Sequence, residues 1–80
     1  MEIEKSLNLD RRQLADLLRR IAEQLEAGGP VKSETLNAQV TPREPIFVKL
    51  EFEDKIGEQT IEIDIKLIGS GQTQTSPAKF

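Results

Sequence analysis

Two runs of strict alternation constrain this chain more than anything else in it. Ile46, Val48, Leu50 and Phe52 fall at every second position, and Ile61, Ile63, Ile65 and Leu67 repeat the pattern after an interval that contains Gly57. A period of two puts the apolar side chains of each run on one side of an extended strand and the charged ones on the other. An antiparallel pair keeps those sides in common only if opposed residues share a face, and this restricts the turn. A two-residue loop at Ile56 and Gly57, or a four-residue loop from Lys55 to Glu58, opposes Phe52 to Ile61, Leu50 to Ile63, Val48 to Ile65 and Ile46 to Leu67. A three-residue loop sets Phe52 against Thr60 and is rejected. The four-residue loop is expected, because a two-residue type I′ turn asks the β-branched Ile56 to take positive φ. On the other side the same register opposes Glu53 to Thr60, Glu51 to Glu62, Lys49 to Asp64 and Phe47 to Lys66.

The second signal is helical. Leu14, Leu17, Leu18, Ile21, Ala22 and Leu25 recur at the three-and-four spacing of one apolar stripe, which predicts a helix from about Arg11 to Ala27. Asp10 is its expected N-cap, Gln13 stands where a capping-box partner reaches back, and Leu9 with Leu14 has hydrophobic-staple spacing. Gly28, Gly29 and Pro30 end it. On its polar face Asp16 to Arg20 and Arg19 to Glu23 are four apart, a spacing that supports ion pairs worth about 0.2–0.5 kcal/mol each.

The remaining segments are less regular. Met1, Ile3, Leu7 and Leu9 share parity, with Lys5 between them, and suggest a short first strand. Leu36, Ala38 and Val40 suggest a strand from about Thr35 to Thr41, although Val31 falls on the opposite parity. Pro42 and Pro45 bracket the turn that follows. Residues 69–80, rich in Gly, Ser, Thr and Gln, read as a disordered polar tail. The expectation is one domain over residues 1–68, of the α+β class. It has two layers, one helix packed on a four-stranded, mostly antiparallel sheet, in the element order β-α-β-β-β. A right-handed crossover places the first strand beside the last. The helix stripe and the two alternating runs are its expected core.

With a leading strand, the helix RRQLADLLRRIAEQLEAGG and the alternating strands VKLEFE and TIEIDIKL, the chain resembles the amphi-Trp domain over roughly Met1 to Ile68. The tryptophan expected near Leu67 or Ile68 is absent from this sequence. The resemblance implies a small α+β fold and no particular activity.

Composition narrows the chemistry. Among 80 residues there is no Cys and no His, so thiolate and imidazole ligands, disulfides and the usual neutral-pH general base are excluded. A chain of this length hides only about 60% of its unfolded surface, which leaves little room for an enclosed catalytic cavity. Fourteen acidic against 11 basic residues argue against phosphate neutralisation, and Arg11, Arg12, Arg19 and Arg20 are interleaved with Asp10, Asp16, Glu23 and Glu26. No nucleic-acid partner, membrane contact or cofactor is expected, and the cytoplasm is the expected location. Met1 to Leu9 has no continuous apolar run of the kind a signal peptide or membrane anchor shows. Gly69 to Gly71 lacks the ending of a phosphate loop.

Two function classes remain. The favoured one is a non-enzymatic interaction module, a homodimer or a binder of a protein partner, that uses its sheet face or an edge. Its candidate interface is Phe47 and Ile68, apolar residues outside the expected core, rimmed by Lys49, Glu51, Asp64 and Lys66. The alternative is a small-ligand, metal-binding or enzymatic site built from Glu51, Glu53, Glu62, Asp64 and the neighbouring lysines. Carboxylates suit Mg²⁺ or Ca²⁺, but a flat sheet face offers few convergent ligands.

Overall fold

The computed structural model describes residues 1–69, and the chain divides into two compact units, Met1–Thr41 and Pro42–Phe80. The first unit holds α1, Arg11–Ala27, and a short hairpin of β1, Val31–Ser33, with β2, Ala38–Val40. The second holds a longer hairpin of β3, Phe47–Lys55, with β4, Glu58–Lys66.

The helix begins and ends where its local chemistry directs. Gln13 N–H donates to Asp10 Oδ1 at 2.8 Å, while Asp10 N–H donates to Gln13 Oε1 at 3.0 Å, a reciprocal capping box. Gly28 closes the last turn at φ 81°, with its N–H donating to the Leu25 carbonyl. Arg19 pairs with Asp16, three residues before it, at 2.7 Å, rather than with Glu23.

The expected single four-stranded sheet is not formed. The four strands make two separate two-stranded antiparallel sheets, β1–β2 and β3–β4. Two features account for this. Met1 to Asp10 forms no strand, since alternation becomes a strand only where another backbone supplies a ladder, and Lys5 interrupts its apolar parity. Leu36, assigned to a strand from its spacing, lies instead in a turn over residues 34–37. There Leu36 N–H donates to Ser33 Oγ at 3.1 Å, and Asn37 takes φ 52°, which a short polar side chain tolerates. This turn also explains the parity of Val31. A hairpin closed by four residues opposes odd to even positions, so Val31 pairs with Val40 on a common face.

In the longer hairpin the side-chain register is as expected over Phe47–Lys55, but the loop is the two-residue one, Ile56 and Gly57, closed by the Lys55↔Glu58 pair. The steric objection to it is avoided because only Gly57 is at positive φ, 84°, as at the third position of a type II turn. Ile46 and Leu67 lie just outside the ladder. Beyond them, Arg43 N–H donates to the Ile68 carbonyl at 2.8 Å. The Glu44–Pro45 peptide is cis.

The expected core is also corrected. Among the described residues Val31, 8% exposed, is the one buried hydrophobic side chain. Leu17 and Ile21 of the helix stripe are half-buried, whereas Leu14, Leu18 and Leu25 are exposed. Periodicity establishes which residues share a face. Burial needs a surface to cover that face, which periodicity does not supply.

Candidate functional site

The longer hairpin presents two chemically opposed faces. Strict alternation places Val48, Leu50 and Phe52 of β3 beside Ile65, Ile63 and Ile61 of β4, in three directly opposed pairs. These six side chains are 46–71% exposed. No charged residue interrupts the three rows. At the loop end of the same face Gln59 Nε2 donates to Asp54 Oδ1 at 3.2 Å, so the polar groups there satisfy each other. A scattered exposed leucine is ordinary, whereas here the apolar side chains form one contiguous patch.

The other face carries the residues singled out from the sequence. Phe47 opposes Lys66, Lys49 opposes Asp64 and Glu51 opposes Glu62, so five of the six candidate interface residues share this face on adjacent strands. Ile68, two residues beyond Lys66, lies past the end of β4. Phe47 and Ile68 are 51% and 50% exposed. Lys66 Nζ sits 5.6 Å from the centroid of the Phe47 ring, within cation–π range, so the aromatic already has a cationic neighbour. Glu53 lies 3.8 Å from Lys55 Nζ, an exposed pair of small value.

Glu51, Glu53 and Glu62 line a shallow depression of about 200 Å³ with Thr60 and Phe52. Its carboxylates do not converge. Among the described residues no group of three or more acidic side chains is placed to hold a metal ion. In the first unit a larger open groove, about 670 Å³, has Leu7, Leu17, Ile21 and Leu36 in its lining, together with Lys5, Arg20 and Lys32. Gln24, also in that lining, accepts from Lys32 N–H at 2.8 Å and joins α1 to β1. Among the described residues no helix is long and apolar enough to cross a membrane.

The two apolar runs are expected in a core, with the candidate interface on the opposite side. The structure leaves Val48, Leu50, Phe52, Ile61, Ile63 and Ile65 of those runs exposed, and they form the larger apolar surface of the hairpin. The signal for it was present in the alternation itself. Compared with models of known protein families, with curated proteins and with solved structures, the chain matches none.

Proposed function

We propose that this chain is a non-enzymatic interaction module, working in the cytoplasm, whose contact surface is the apolar face of the β3–β4 hairpin. The observation that carries this reading is the exposure of three adjacent apolar rows, Val48·Ile65, Leu50·Ile63 and Phe52·Ile61, without an intervening charge. A two-stranded hairpin is at best marginally stable alone in water, so covering this face contributes to order as well as to affinity. Fully burying a Val, Leu, Ile or Phe side chain is worth about 1.5–3 kcal/mol, so covering these six side chains in three rows is favourable. The exposed carboxylates opposite are arranged as a solvated surface rather than a pocket with converging groups, which supports association over catalysis. The amphi-Trp likeness remains a proposal about the kinship of the helix and strands, and it brings no activity.

A second reading, supported by the exposure of Phe47 and Ile68, puts the contact on the charged face. One set of variants separates the two. Complexes formed by the wild type, with itself or with a bait from the native extract, are compared with those of Ile63→Glu and Phe47→Ala. Loss in Ile63→Glu with retention in Phe47→Ala supports the apolar face. The reverse pattern supports the charged face, and retention in both overturns each reading.

A further inference from the structure

Resting on the apolar-face reading, we propose that the occupant of this face is a second copy of the same chain, and that two hairpins stack face to face about a two-fold axis crossing the strands at the Leu50·Ile63 pair.

Area is the first argument. With 46–71% of each of six Val, Leu, Ile and Phe residues exposed, the three rows offer on the order of 600 Å² per copy. A standard stable interface takes about 800 Å² from each partner. Two such faces together reach about 1,200 Å², the lower end of the standard range, which suits one small, flat partner.

Composition is the second argument. A partner with charges on its docking surface has nothing on these rows to pair them with, and burying an unpaired charge is expensive. A second copy brings none to these three rows, and its nearest charge on this face, Asp54 at the loop end, is already hydrogen-bonded to Gln59. The third argument is the fit of the rows to themselves. An axis across the strands at Leu50·Ile63 lays that pair on its own counterpart, and lays the Phe52·Ile61 row over Val48·Ile65 of the other copy. The largest side chain of the face then meets its smallest, as interdigitating layers require. An isologous contact of this kind needs no second surface.

The experiment uses the purified chain alone. Its mass is measured by sedimentation equilibrium over a wide concentration range, expecting conversion from 9.0 kDa to twice that value. Because the sequence has no cysteine, single cysteines report position cleanly. Leu50→Cys, at the axis, couples to its counterpart through a short bis-maleimide, whereas Glu51→Cys, on the far side of the same strand, couples at least tenfold less. Circular dichroism of both variants establishes that the fold is retained. A monomer at every concentration, or equal coupling at both positions, overturns the second copy. If the pure chain stays monomeric while Ile63→Glu still abolishes a complex with another protein, the face is the contact surface and its occupant is different. If no complex depends on Ile63, the apolar-face reading falls as well.

Discussion

Asp10 and Gln13 cap each other at the start of α1, each accepting the other's backbone N–H through a side-chain oxygen, at 2.8 and 3.0 Å. The helix has no acidic residue in its first turn to stabilise that end otherwise. Asp10→Ala removes the acceptor for Gln13 N–H and also leaves Gln13 without its reciprocal role. The expected loss is about 1 kcal/mol, read from the urea midpoint, while Asp10→Ser retains most of the stability.

Gln24 joins α1 to the short hairpin through Lys32. Its Oε1 accepts from Lys32 N–H at 2.8 Å, and its Nε2 lies 3.3 Å from the Arg20 carbonyl and 3.5 Å from the Lys32 carbonyl. Gln24→Ala leaves Lys32 N–H without that acceptor. The expected cost is about 0.5–1.5 kcal/mol, together with faster amide exchange at Lys32 and unchanged exchange in β3 and β4. Equal acceleration in both hairpins would contradict this local role.

Glu51 and Glu62 stand directly opposite each other in the ladder, and like charges so placed repel. Glu51→Lys converts the pair into an attractive one. Hairpin stability is expected to rise by about 0.2–1 kcal/mol at low salt, with the gain shrinking as salt screens it. A double-mutant cycle with Glu62→Lys checks the origin, because exchanging both charges restores repulsion.

The extent of legibility follows from the range of each interaction. Asp10, Gln13 and Gly28 act within a few residues, so both ends of α1 could be placed from neighbours in sequence. The register of β3 and β4 was also legible, since parity allows few pairings that keep Phe52 opposite Ile61. The loop is shorter than expected by one residue on each side, because Gly57 alone carries positive φ and Ile56 is spared the strain of a type I′ turn. Sheet membership was not legible. Met1 to Leu9 and the region around Leu36 have alternating residues, but a strand depends on distant backbone, and Asn37 with Ser33 favours a turn locally. For the candidate site, the sharing of one side by Phe47, Lys49, Glu51, Asp64 and Lys66 was evident. The exposure of the opposite side was not, because exposure is a property of what lies across a surface rather than of the surface itself.

The two-sidedness of the β3–β4 ribbon has a consequence for stoichiometry. Only one side is apolar, and the other carries Lys49, Glu51, Glu53, Glu62, Asp64 and Lys66. On the second-copy proposal, two ribbons that meet through their apolar sides turn outward a face where Phe47 stands among charged residues, and a third layer finds no contiguous apolar surface of the same kind. A sequence with apolar residues at both parities could stack without end; on the second-copy proposal, alternation by single residues limits the pile to two.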